Sequence, residues 1–120
     1  MDNPTIFGKI INGQIPAKKV FEDDDVLAFH DIQPAAEVHF LIIPKKFIPT
    51  LADATAEDTA LLGKMLALVP VLAAGQGLTG GFRTAINTGK QGGQEVYHLH
   101  IHVFGNRPGG EPLRTIAGKA

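Results

Sequence analysis

Tyr97-His98-Leu99-His100-Ile101-His102-Val103-Phe104 alternates apolar and imidazole side chains along its length. A period of two marks a strand with one face on a core, which assigns Leu99, Ile101 and Val103 to the interior and all three histidines to one common face. Same-face neighbours lie about 6.5 to 7 Å apart, so one ring reaches a small anion while its neighbour still touches it. Three readings compete. The row is a His-rich strand facing solvent, or part of a zinc site completed by His39, or a nucleophilic imidazole flanked by helper histidines, because imidazole attacks phosphorus, moves protons and changes charge near neutral pH. The chain has no cysteine, and the segment feeding the row is polar and glycine-rich, which suits an anion better than a cation.

That segment is Asn87-Thr88-Gly89-Lys90-Gln91-Gly92-Gly93-Gln94-Glu95. Glycines let backbone amides turn toward an anion without side-chain obstruction, so beside the histidines this hairpin loop becomes a candidate phosphate cradle. Upstream, the alternation of Phe82, Thr84 and Ile86 predicts a strand over 82–88. Downstream, the chain from Gly105 onward has no periodicity and is expected to be irregular, lying over the site or a partner subunit.

Toward the N-terminus, Ile6, Phe7, Ile10 and Ile11 recur at helical spacing, with Pro4 before them and Asn12-Gly13 as a stop; a short helix follows, over 5–12. Phe7 and Ile10 are core residues by this pattern, with a flat ligand as the alternative occupant of their face. Strands are expected over 20–23 and 26–31, joined by the solvated acidic turn Asp23-Asp24-Asp25. Asp31, at a strand end, caps a turn or accepts from a sugar hydroxyl. Residues 37–44 are apolar on both faces and predict a central strand, interrupted by His39. Thr55-Ala56-Glu57-Asp58 resembles a capping box with Asp for Glu, opening a helix to about Gly75 or Gly77 that Pro70 should bend between Leu66 and Pro70. Leu61, Leu62, Met65, Leu66, Leu68, Val69, Val71 and Leu72 make that helix apolar around most of its circumference, more than one sheet face needs, and a homodimer is the simplest second partner.

Composition bounds the rest. A chain of 120 residues, 44% apolar and 19% charged, is one ordinary globular domain. A net charge of −1 provides no electrostatic footprint for nucleic acid or an anionic membrane. No signal peptide or transmembrane span is evident: the longest apolar segment, 60–74, is broken by Gly63, Lys64 and Pro70. With no cysteine to oxidise, a cytoplasmic location is the default expectation.

His98-Leu99-His100-Ile101-His102-Val103-Phe104 resembles the His-x-His-x-His-x-x signature of the histidine triad superfamily, x being apolar. Ile6-Phe7-Gly8-Lys9-Ile10-Ile11, Leu27-Ala28-Phe29-His30-Asp31-Ile32, His39-Phe40-Leu41-Ile42-Ile43-Pro44-Lys45-Lys46 and Gly92-Gly93-Gln94-Glu95-Val96-Tyr97 extend the likeness over residues 5 to about 107, closest to the Hint branch of histidine triad nucleotide-binding proteins. The resemblance implies an α+β fold, an antiparallel five-stranded sheet with two helices, in a single domain over 1–120 with an irregular tail from 108. It implies a homodimer whose sheets join into one of ten strands.

It also implies an enzyme, a phosphoramidase that hydrolyses purine nucleoside phosphoramidates such as adenosine monophosphoramidate, with no cofactor and no metal. His100 would be the nucleophile, His98 and His39 the pair that orients it, and His102 the contact to phosphoryl and leaving group. Asn87, Gly93 and Glu95 would lie on the phosphate with His100 and His102. Asp31 would bind ribose, with Phe7, Ile10, Phe29, His30 and Ile32 around the base. An apolar slot grips any purine, so the partner is a nucleotide with an AMP or GMP moiety. Alternatives in the same superfamily are a dinucleoside polyphosphate hydrolase, a nucleotidyl transferase, or a nucleotide-binding regulatory protein with incidental turnover. Glu95 stands where some relatives have Ser, and the chain has no Trp to match the C-terminal one that lines the partner's site in other members.

A neutral imidazole attacks only if its other nitrogen holds the proton, so His100 requires an acceptor, most simply a backbone carbonyl. An amine leaving group needs a proton, and histidines near their ordinary pKa of about 6.5 are the expected source.

Overall fold

A computed structural model describes residues 3–116. Residues 1–2 and 117–120, including the end of the expected tail, lie outside the described residues. The elements are α1 (Ile6–Ile11), β1 (Lys19–Glu22), β2 (Val26–His30), β3 (Val38–Pro44), α2 (Thr59–Gly75), β4 (Arg83–Ala85) and β5 (Ile101–Gly105), with 3-10 turns at Leu51–Asp53 and Ala56–Asp58. The strands form one antiparallel five-stranded sheet in the order β1-β2-β3-β5-β4. The α+β architecture is the one expected.

β3 occupies the centre, and all seven of its residues are buried. Its even-numbered side chains, Val38, Phe40 and Ile42, join Val26, Ala28, Ile101 and Val103 beneath Met65, Val69, Leu72 and Ala73 of α2. Its odd-numbered side chains, Leu41 and Ile43, face the other way with Leu27, Phe29 and Phe7 of α1. Each fully buried side chain of this size contributes roughly 1.5 to 3 kcal/mol. A six-residue helix covers only part of the second face, and the remainder carries histidines.

Both helices begin as their sequences suggest. The Thr5 hydroxyl accepts from the Gly8 N–H at 3.1 Å to open α1. Ahead of α2, Thr55 and Asp58 form a reciprocal capping box, and the buried Asp58 carboxylate also takes the Lys46 ammonium at 2.6 Å. The residues 56–75 are apolar and long enough to cross a membrane by length and composition, yet α2 lies on the sheet as one continuous helix through Pro70. Leu66 and Val71, 53% and 64% exposed, sit on its uncovered side.

The solvated acidic turn gains a partner, and two strand expectations change. The turn at 23–25 is a clamp: Lys64 of α2 bridges Asp23 at 2.5 Å and Asp25 at 3.1 Å, and with two backbone N–H donors this holds the Asp23 carboxyl down to about 2, Lys64 being the largest cause. Strand β4 spans three residues instead of seven, and β5 starts at Ile101 instead of near Tyr97. One cause accounts for both. Leu99 donates its N–H to the Ile48 carbonyl at 2.7 Å, so the backbone ahead of Ile101 pairs with the loop after β3 and offers Ile86 to Thr88 no ladder. From 108 to 116 the tail has no helix or strand, and it runs back to β4, where the Arg83 guanidinium donates to the Arg114 carbonyl.

Candidate active site

The antiparallel register sets Leu41 opposite His102 and His39 opposite Phe104. His39 and His102 are thus diagonal neighbours on the face that α1 leaves uncovered, with ring centroids 5.1 Å apart. His39 Nε2 and His102 Nδ1 are 2.9 Å apart. Which ring donates follows from the next residue outward. The Ala35 backbone N–H donates to His39 Nδ1 at 2.9 Å, and a backbone amide is always the donor. Neutral His39 therefore carries its proton on Nε2 and gives it to His102 Nδ1. Neutral His102 is left with its proton on Nε2, where it has no partner among the described residues.

His100 is set the other way. Its Nδ1 donates to the His98 carbonyl at 2.7 Å, so the lone pair is on Nε2. This is the backbone acceptor that a nucleophilic imidazole requires. Phe7 meets the His100 ring edge-on at 5.1 Å, and the His100 and His102 centroids are 4.9 Å apart. His98 lies deeper than His100. It precedes β5 and is wholly buried, its Nε2–H donating to the Pro44 carbonyl at 2.7 Å and its Nδ1 lying 2.7 Å from Asn3 Nδ2. It anchors the segment that carries His100, between the rings of Phe7 and Phe47.

Burial pushes all four histidines below their ordinary range. His102 falls to about 4, because burial is reinforced by His100 and His39, while Asp31 pulls weakly the other way. At neutral pH the unliganded site is uncharged on these rings. The expected reserve of protons near pH 6.5 is therefore reduced in the free protein, most of all at His102, and the row presents neutral donors and lone pairs.

The arrangement also bears on the zinc reading. One ligand atom each from Asp31, His39 and His102 falls within 4.8 Å of the others, and His39 Nε2 is 3.6 Å from Asp31 Oδ2. A cation at His39 Nε2 needs the ring proton on Nδ1, where it would meet the Ala35 N–H head on. The donor set does not fit a metal.

The other expected site residues divide into three groups. Phe7 and Phe29 are buried against each other at 5.4 Å, with Ile10 packed beside them, so this end of the expected base slot is core. His30 and Asp31 are half-buried at the end of β2, and Ile32 is 91% exposed. Asp31 Oδ1 caps its turn by accepting from the Gln33 N–H at 2.8 Å, while Oδ2 faces the histidines. Asn87, Gly93 and Glu95 are exposed on the polar loop and make no hydrogen bond to the rings among the described residues; Gly93 holds φ at +81°, the left-handed conformation a glycine permits.

Three contributors went unread in the sequence. Gln94 is buried and organises the loop, donating from Nε2 to the carbonyls of Pro49 and Val96 and accepting from the Gly89 N–H. Ala35 acts through its amide, and Asn3 acts across the whole chain. No periodicity or spacing marks any of the three.

The HIT domain profile matches residues 12–109. This chain belongs to the HIT family. The HIT chain is 59% identical over 107 residues to an uncharacterized HIT-like protein of Synechococcus elongatus, a match that covers 89% of this chain and 94% of that one. Among solved structures it resembles a HIT family hydrolase from Legionella pneumophila, at 48% identity and a TM-score of 0.81 over 83% of this chain and 90% of that one. It also resembles a histidine triad protein from Clostridium difficile, at 36% identity and a TM-score of 0.84 over the full length of both chains. The superfamily expected from the histidine row is therefore the right one. In this HIT chain the row is a buried and a half-buried ring of opposite tautomer, His100 and His102, beside the fully buried anchor His98.

Proposed function

We propose that this protein is a hydrolase of purine nucleoside phosphoramidates that works through a nucleotidyl intermediate on His100. The observation that carries the reading is the 2.7 Å bond from His100 Nδ1 to the His98 carbonyl, which leaves a neutral Nε2 lone pair beside the Nε2–H of His102. In the first step, Nε2 forms a bond to phosphorus as the P–N bond breaks, and the amine leaves with a proton from solvent. The imidazolium so formed keeps Nδ1–H on the carbonyl. In the second step, water attacks phosphorus and releases a proton to solvent, the P–Nε2 bond breaks with its electron pair returning to Nε2, and nucleoside monophosphate departs. His102 donates to the phosphoryl oxygens through both displacements as a neutral group, held in that state by His39 and Ala35. The HIT family hydrolase from Legionella, similar over most of the chain, supports hydrolysis as the reaction class.

The working unit in this reading is a homodimer whose two sheets join. β4 is a three-residue strand at the sheet edge, and Leu66, Val71 and Phe82 are exposed beside it or on α2. The purine lies against Ile32 and the ribose against Asp31 Oδ2, with Asn87, Gly93 and Glu95 on the phosphate side.

The test is turnover of adenosine monophosphoramidate against diadenosine polyphosphates, with the labelled intermediate trapped by acid-free quenching and mapped. Faster amidate cleavage with the label on His100 is expected. Faster cleavage of the polyphosphate would make it a dinucleoside polyphosphate hydrolase, and tight nucleotide binding with no turnover would make it a binding protein.

A further inference from the structure

Asn3 lies 95 positions from His98, ahead of the first helix, yet its amide nitrogen is 2.7 Å from His98 Nδ1. Its orientation is fixed by its other contacts. The Thr5 backbone N–H donates to Asn3 Oδ1 at 3.1 Å, and the Thr5 hydroxyl donates to the same oxygen at 2.7 Å. With oxygen held there, the NH2 group faces His98 and donates to Nδ1. The His98 proton is then confined to Nε2, where it bonds Pro44. The His98 carbonyl in turn receives His100 Nδ1–H. The Gly8 N–H begins the series by donating to the Thr5 hydroxyl. Donors therefore run in an unbroken line from the first turn of α1 to His98, whose carbonyl sets the tautomer of His100.

Glycine at position 8 belongs to the same device. A Cβ there would stand 2.5 Å from Asn3 Cγ, a distance real structures do not show. The close approach of helix and amide thus requires a residue with no side chain.

We infer that Asn3 is a positioning residue, which keeps a proton off His98 Nδ1 and holds the anchored ring so that its carbonyl stays aimed at His100. A second proton on His98 would need an acceptor where Asn3 presents a donor. It would also place a cation next to the nucleophile and draw down its lone pair. This inference rests on the proposed role of His100, but its first readout does not.

The experiment uses the full chain with 15N-labelled histidine. In the native protein the imidazole spectra should show His98 protonated on Nε2 alone at neutral pH. Asn3→Asp keeps an oxygen for Thr5 and replaces the donor by an acceptor. His98 should then carry protons on both nitrogens, and kcat on adenosine monophosphoramidate should fall by roughly ten- to a hundredfold, as when the outer partner of a functional histidine is lost, with KM little changed. Asn3→Leu keeps the shape without donor or charge and, unlike alanine, admits no water from the open cleft that Asn3 shares with Ile11, Lys46 and Phe47; its loss should be smaller, with His98 still singly protonated.

The inference is overturned if native His98 carries a proton on Nδ1, if Asn3→Asp leaves His98 unchanged, or if both variants lose kcat equally. Should Asn3→Asp not fold, Gly8→Ala pushes the amide away, and unaltered kcat there is equally fatal. Absence of turnover in the native protein would remove the proposed activity, while the spectra still decide the Asn3–His98 contact.

Discussion

His100 and His102 face each other with ring centroids 4.9 Å apart and carry their protons on opposite nitrogens, Nδ1 in His100 and Nε2 in His102. The first offers a lone pair and the second a hydrogen-bond donor to the same small volume. Two identical side chains thereby present the two different groups, a lone pair and a donor, that the proposed phosphoryl displacement would use.

Replacing His100 by alanine should lower kcat by at least about a thousandfold, since loss of a nucleophile removes the covalent path. The fold should survive, because His100 belongs to neither hydrophobic core cluster, touching the core through Phe7 alone, and its ring hydrogen bond is to the nearby His98 carbonyl. Single-turnover assays with circular dichroism on the same preparation check both halves; near-native turnover would rule out the nucleophile.

His39→Ala leaves His102 Nδ1 without its donor, so that the His102 proton is free to sit on either nitrogen. Turnover should drop by about ten- to a hundredfold, within the range of a lost proton-positioning group. His39 and His102 act as one unit, so the double variant should be little worse than the worse single one. Additive losses in a double-mutant cycle would show that the rings work separately.

Burial that keeps these histidines neutral makes stability depend on pH. Between His102's value of about 4 and the ordinary 6.5, the unfolded chain binds protons that the folded protein does not. Stability is complete above about pH 6.5 and declines as pH falls through that window. The thermal midpoint should decrease steadily from pH 7 to pH 4.5, and His102→Asn should flatten the slope. Activity follows the same sign: the acid limb of kcat/KM should lie below pH 6.5, because His100 keeps its lone pair until its lowered pKa is reached. An acid limb at or above 6.5 would contradict the buried, neutral site.

Met65 and Leu66 are adjacent on α2 and point to opposite environments, one wholly buried and the other 53% exposed. Met65→Ala should cost about 2 to 5 kcal/mol in denaturant unfolding, the usual range for a truncated core side chain. For the homodimer proposed above, Leu66→Asp should leave the protomer folded and shift the species seen by light scattering from dimer to monomer. A dimer unaffected by that charge would place the partner elsewhere than on α2.

The single elements were readable because they rest on short-range patterns, while their assembly into one five-stranded sheet came from the family resemblance. The apolar run that ends residues 37–44, the capping box Thr55–Asp58 and the helical spacing of Ile6, Phe7 and Ile10 are each local patterns that one kind of element fits. The histidine row was legible for the same reason, and with it the family. Strand ends were not, since the ladder stops where Leu99 turns to Ile48, a partner 51 positions away.

Which nitrogen holds each proton depended wholly on tertiary structure. Composition and spacing name four imidazoles in and beside the row, but a neutral ring takes its tautomer from whatever donor or acceptor lies 3 Å away. Here those groups are the amide of Ala35, the carbonyls of Pro44 and His98, and the side chain of Asn3. Side-chain identity can be read along the chain because it is local. Proton placement cannot, because backbone groups are alike at every position until folding brings particular ones together.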